Sequence, residues 1–147
     1  MAYVSRGFIP QTSLASNLGF TRPMYIPAGN ATATALYDIV KVSTSGSTAD
    51  TAGVPAGLMG CVRVSDKDDV PCGVIVGFIA DPDYLNQTYR SASTARVALV
   101  NYDPQVVLEA QEDGNGTTLA VARIGTPVDL VPGSIDTVTG TSGMQIS

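Results

Sequence analysis

GVIVGFIADPDYLNQTYRSASTARVALVNYDPQVVLEAQED, residues 73–113, decides the fold class. Its first eight residues, 73–80, form an unbroken apolar run, the pattern of a strand covered on both faces. Asp81-Pro82-Asp83-Tyr84 then reads as a turn, since proline presets the backbone angle needed there. Residues 95–101 (ARVALVN) and 106–111 (VVLEAQ) are predicted strands joined through Tyr102-Asp103-Pro104. Glu112-Asp113-Gly114-Asn115-Gly116 follows as the strongest hairpin signal in the chain.

Outward from this stretch the same grammar repeats. Upstream, 36–42 (LYDIVKV) alternates and ends β-branched, and 43–57 is a Ser, Thr, Gly, Ala and Pro loop. Strand 58–64 (LMGCVRV) leads into an acidic turn at 65–69. Downstream, strands are predicted over 119–124 and 128–131, with weaker ones near 135–138 and 144–146. No segment holds a 3.6-residue apolar period for three turns, and no fixed-period repeat is present. Strands recurring about every ten residues predict an all-β fold, a small β-barrel or β-sandwich.

The first thirty residues read differently. Pro10, Pro23 and Pro27 interrupt any period, yet Phe8, Ile9, Leu14, Leu18, Phe20, Met24, Tyr25 and Ile26 make the segment apolar. The division drawn is an extended N-terminal arm at 1–30 and a β domain at 31–147. Fully stretched, the arm would reach roughly 100 Å at about 3.3 Å per residue. It either seeks another chain's surface or docks on its own domain. The final SGMQIS looks like the opening of a strand, which predicts further chain beyond Ser147.

The 147 residues fit one domain large enough to bury a core. Hydrophobic residues make up 44 % and charged residues only 14 %, against about a quarter in an ordinary domain. The surface must therefore be Ser- and Thr-rich, covered by partners, or both. Eight basic residues are scattered singly in a chain of net charge −5, which argues against nucleic acid and against an anionic membrane surface. No stretch has the length and apolarity of a bilayer span or a signal peptide, so synthesis and folding in a cytoplasm are expected. Cys61 and Cys72 are then expected as thiols, although a turn near Asp66 and Lys67 would set them across a hairpin and make a bridge conceivable.

The residue inventory leaves little for catalysis. The chain has no histidine, which removes the commonest general base and transition-metal ligand. Asp66, Asp68 and Asp69 resemble part of a calcium loop, but the glycine and the closing glutamate are missing. A solvated turn is the better reading there. Glu109 and Glu112 are the only glutamates, a thin pool for a glycosidase pair. Gly114-Asn115-Gly116 lacks the downstream helix and the lysine of a phosphate cradle. No enzyme activity, cofactor or metal is expected.

At the centre of 73–113 lies YRSASTARV, residues 89–97, with Arg90 and Arg96 bracketing small hydroxylated residues, followed by YDP and by Glu109 and Gln111 in VVLEAQED. This arrangement resembles the head decoration, or cement, proteins of tailed bacteriophages. The resemblance covers roughly the second half of the chain, with GFIPQTSLASNLGF a loose match near the N-terminus. It implies a β-rich subunit, usually a homotrimer, on the outer capsid surface of a virion. There it would stabilise contacts between major capsid protein subunits. The partners expected are thus the major capsid protein and the chain itself. Phe8, Ile9, Phe20, Met24 and Tyr25 from the arm, with Tyr89, Arg90, Arg96, Glu109 and Gln111, are the expected interface residues. The Thr139-Gly140-Thr141-Ser142-Gly143 stretch falls almost at the end, where similar proteins continue into a further strand region. The competing expectation is a glycan- or host-surface-binding β module, motivated by the tyrosines and polar loops.

Overall fold

Nine short strands and one 3₁₀ turn account for the regular structure of the computed structural model, which describes residues 6–14, 20–48, 54–115 and 119–147. The strands are β1 (Ile9–Ser13), β2 (Thr21–Ile26), β3 (Ile39–Ser43), β4 (Gly60–Arg63), β5 (Gly73–Phe78), β6 (Arg96–Asn101), β7 (Val106–Glu109), β8 (Leu130–Val131) and β9 (Gln145–Ile146). Five of them close into a barrel in the order β2-β4-β3-β5-β6, with β6 returning to β2. The fold is all-β, and of the two architectures expected it is the barrel. β1 pairs with β7 and β8 with β9 as two-stranded ribbons outside it.

Alternation along the strands builds two cores. Met24, Ile26, Val40, Cys61, Ile75, Ala98 and Val100 point inward and fill the barrel. Ile39, Val64 and Val74 point outward, where Phe8 from the N-terminal side and Met144 from the C-terminal side complete a second cluster. Adjacent residues Val74 and Ile75 thus lie in different cores, which is why the run at 73–80 lacks polar alternation. The covering ends with the strand, since Ile79 and Ala80 are exposed.

The predicted break after residue 30 is not a structural boundary. β2 pairs with β6 from Thr21↔Asn101 to Ile26↔Arg96, so it is a stave of the barrel. β1 pairs with β7 from Ile9↔Glu109 to Ser13↔Val106. Phe8, Met24 and Ile26 of this segment are buried on their own domain, whereas Leu14 and Phe20 are exposed; Leu18 lies outside the described residues. Two further expectations are corrected. The 119–124 strand is absent: Val121–Arg123 forms the 3₁₀ turn, closed by Arg123 N–H to Ala120 O at 2.8 Å. The segment near 135–138 is a turn around Asp136, whose carboxylate accepts from the Val138 N–H at 2.8 Å.

The hairpin imagined between Cys61 and Cys72 also differs. β3 lies between β4 and β5, because residues 64–72 wrap around its end. The Val64 N–H donates to Ile39 O at 3.0 Å and the Cys72 N–H to Val40 O at 2.8 Å. Lys41 on β3 pairs with Asp69 in the wrapping turn at 2.5 Å. Both cysteines are free thiols.

A polar latch ties the C-terminal segment to the barrel. Asp38 is fully buried; its carboxylate accepts from the Ala35 N–H at 2.8 Å and from the Ser142 hydroxyl. Arg63 Nε stands 2.9 Å from Asp38 Oδ2, an ion contact, but its N–H is not aimed at the oxygen and makes no hydrogen bond. Burial raises the Asp38 pKa, and the Arg63 charge and these hydrogen bonds pull it back only in part. Gly7 fits against the latch at φ +73°, where an added Cβ would stand 2.5 Å from the Ser142 Cβ and 2.6 Å from Tyr37 O.

Candidate interaction surface

An apolar groove of about 500 Å³ opens on the outer side of the barrel. Its floor is the outer face of β3 and β5, with Ile39, Cys72 and Val74. One wall is β7, with Val106 and Leu108, and the other is the β8–β9 ribbon, with Leu130 and Ile146. Ladder register fixes these positions, since Ile39 lies opposite Val74 and Leu130 opposite Ile146. At one end stand Tyr102 and Asp103. The Asp103 carboxylate is buried and already engaged: Oδ1 accepts from the Gln105 N–H at 2.9 Å and Oδ2 from the Ser13 hydroxyl.

An exposed aromatic patch continues the groove. Phe20 stacks near Tyr102 with centroids 6.2 Å apart at 42°, and the Arg22 guanidinium lies 5.5 Å from the Tyr102 centroid. Phe20 is 50 % and Tyr102 42 % exposed, and Leu14 is more exposed still. Hydrogen bonds from Leu14 N–H to Gln105 O and from Tyr102 N–H to Phe20 O hold both segments beside the groove mouth.

The ten residues expected at an interface divide. Phe8 belongs to the outer core and Met24 to the barrel interior, so neither is free to meet a partner. Arg90 is 0 % exposed and donates to four carbonyls: Thr94 O from Nε and Thr32 O from Nη1, both at 2.6 Å, and Pro27 O and Asn30 O from Nη2 at 2.9 and 2.8 Å. Burial lowers its pKa to about 10. Arg96 is also buried; its Nη1 donates to Tyr89 O at 2.6 Å and its guanidinium lies over the Phe78 ring at 4.9 Å. Both arginines staple this chain's own loops. Ile9, Tyr25, Tyr89 and Gln111 are half-buried. Of the ten, Phe20 and Glu109 are exposed, and Glu109 accepts from Gln11 Nε2 at 2.7 Å.

No family model, curated protein or solved structure matches this chain. Its surface chemistry must therefore be read from the residues themselves.

The acidic turn is occupied with its own backbone. Asp69 accepts from the Ser65 and Asp66 N–H groups at 3.0 and 3.1 Å and from Lys41. The Lys41 hydrogen bond, then those backbone donors, lower its pKa to about 2. Asp66 Oδ1 accepts from the Asp68 N–H at 3.0 Å. Among the described residues no three His, Cys, Asp or Glu side chains gather to hold a metal. Burial pushes the Cys61 thiol up to about 12 and raises Cys72, which weakens both as nucleophiles.

Sequence reasoning missed the groove because its lining comes from six separate segments.

Proposed function

We propose that this chain is a non-catalytic structural subunit that binds the outer surface of a tailed-phage head and stabilises contacts between shell proteins. The observation that carries the reading is the continuous apolar surface formed by the groove and the Phe20–Tyr102 patch, on a chain with only 14 % charged residues. Exposing such a surface is costly for a free monomer and suits a subunit that spends its life covered. Many modest contacts repeated around a closed shell add up through avidity and need no catalytic group. The resemblance of residues 73–113 to head decoration proteins supplies the identity of the shell.

Densitometry of purified virions tests this. The chain should be stoichiometric with the major shell protein, and purified chain should re-bind heads produced without it. Absence from the particle, or a few copies confined to the tail, would refute the proposal. In the re-binding assay, replacing Phe20 and Tyr102 together by serine should weaken occupancy without unfolding the barrel, because both rings are substantially exposed.

A further inference from the structure

The segment 129–147 is bonded to itself before it is bonded to the barrel. Leu130 pairs with Ile146 and Val131 with Gln145 in the β8–β9 ladder, and Asp136 bridges to Thr141 nearer the tip. The Asp129 and Ser147 N–H groups each donate to the other residue's carbonyl, at 3.1 and 3.0 Å. Gly133 and Gly143 lie so close that a Cβ on either would overlap the backbone of the opposite arm. The five staves of the barrel close without this hairpin. Residues 120–128, which lead into it, are all exposed. At the far end of that tether the Leu119 N–H donates to Glu112 Oε1 at 2.9 Å. We propose that residues 129–147 are a strap that lifts off the barrel as an intact hairpin, with the turn at Tyr37 and Asp38 as its catch.

Strain and buried charge meet at the catch. Tyr37 has a φ of +67°, a conformation that is costly for a residue with a Cβ and rare for a bulky one. The turn lets consecutive residues serve different partners. The Tyr37 N–H donates to Ile75 O on β5 at 2.9 Å, and Tyr37 O accepts from the Phe8 N–H at 3.0 Å. Leu36 faces the strap instead. Its N–H donates to Gly140 O at 2.9 Å and its carbonyl accepts from the Ser142 N–H at 2.8 Å. Asp38 accepts from the Ser142 hydroxyl, and Arg63 beside it donates from Nη2 to Gly133 O.

Strain of this kind persists only where surrounding contacts impose it. With the strap lifted, the Leu36 bonds are gone and Tyr37 can relax. Water then reaches a carboxylate and a guanidinium that burial had deprived of it. These gains offset part of the lost contacts, so the strap opens at less cost than the barrel. Lifting withdraws Met144 from the outer core and Leu130 and Ile146 from the groove. The groove is complete only while the strap is down. Opening of the strap does not rest on the function proposed above; its consequence there is that shell binding is confined to the closed form.

Hydrogen exchange of the intact chain, read amide by amide by NMR, tests this. The Leu36, Ser142 and Ile146 amides bond across the boundary between the strap and the rest of the chain. They should share one opening constant, at least tenfold larger than that of the β6 ladder amides. Ile26→Val, which thins the barrel core, should raise the β6 opening constant roughly threefold to tenfold and leave the three strap amides unchanged. Tyr37→Gly should lower the strap opening constant about fivefold relative to Tyr37→Ala, the penalty of a Cβ at positive φ less the freedom glycine regains on release. Three results would overturn the proposal: strap amides that open no more readily than β6, strap amides that respond to Ile26→Val in step with β6, or equal strap opening in the glycine and alanine variants. The wild-type and Ile26→Val measurements decide the matter even where a Tyr37 variant does not fold. None of these measurements involves a capsid, so the two readings fail separately.

Discussion

Replacing Arg90 by methionine is the most direct probe of what holds the loops over the barrel. The guanidinium is fully buried and makes four hydrogen bonds of 2.6–2.9 Å to carbonyls from 27–32 and from Thr94. Methionine matches its length and leaves those acceptors without donors. Each orphaned buried acceptor costs about 1–3 kcal/mol, an upper sum of about 4–12 kcal/mol. Two effects reduce that sum. Water can reach carbonyls in loops, and the arginine itself carries a desolvation cost that methionine does not. The net expectation is a loss of about 3–5 kcal/mol, a large share of the ~5–15 kcal/mol of a typical domain. Urea unfolding followed by far-UV circular dichroism should show it as a midpoint shift of roughly 2 M at a slope of about 2 kcal/mol/M. Arg22→Met is the control, because its guanidinium lies on the exposed Tyr102 ring and should move stability by no more than about 0.5 kcal/mol. A loss below about 1 kcal/mol for Arg90→Met would show that the carbonyl cage is not a structural staple.

Other perturbations test other parts of the molecule. Deleting residues 1–30 should unfold the barrel, because β2 and its inward Met24 and Ile26 go with it; a cooperative melt of the truncated chain would contradict this. Asp38→Ala should cost about 3–5 kcal/mol in the same urea assay, since it leaves Arg63 without its buried counter-charge; a neutral result would show that water compensates fully. The Cys61 thiol, pushed up to about 12 from an ordinary 9, binds its proton more tightly folded than unfolded. Its contribution is fully present below pH 9 and is lost as pH rises toward 12, by about 4 kcal/mol over that span. Cys61→Ala should flatten the alkaline limb of the pH–stability curve relative to wild type, and parallel curves would refute the assignment. Gly7→Ala should be destabilising through both its positive φ and its contact with Ser142, which a lowered melting temperature would report.

The two strands most legible in the sequence, β5 and β6, have neighbours on both sides in the ladder. β5 and β6 are long, β-branched and covered, so their sequences carry little besides their burial. β2 was illegible because Thr21-Arg22-Pro23-Met24-Tyr25-Ile26 has a proline at its third position. The structure explains the exception: β4 meets β2 only at Tyr25↔Gly60, so Pro23 stands where the strand has a partner on one side, and its missing N–H is tolerated. The 119–124 segment misled in the opposite direction. Its Val and Ile have strand propensity, but Gly125 and Pro127 follow and no ladder is offered, so local i→i+3 bonds prevail. Arg90 and Arg96, expected at an interface, are buried and bonded within their own chain. Their acceptors are backbone carbonyls, some of them in loops about sixty residues away, and a carbonyl leaves no trace in the amino-acid alphabet.

The outer core joins Phe8 to Met144, residues at opposite ends of the described chain, and this orders events in time. All five barrel staves have been synthesised once Asn101 has been made. At about 5–20 residues per second the ribosome needs roughly 2–10 s more to reach Met144 and Ile146. During that interval the barrel can close while its outer face still lacks Met144 and the groove lacks its second wall. A nascent chain, or one terminated before Ile146, thus lacks the completed groove. Closure of the barrel and completion of its outer face become two separate events, the second waiting on residues synthesised last among those that build it.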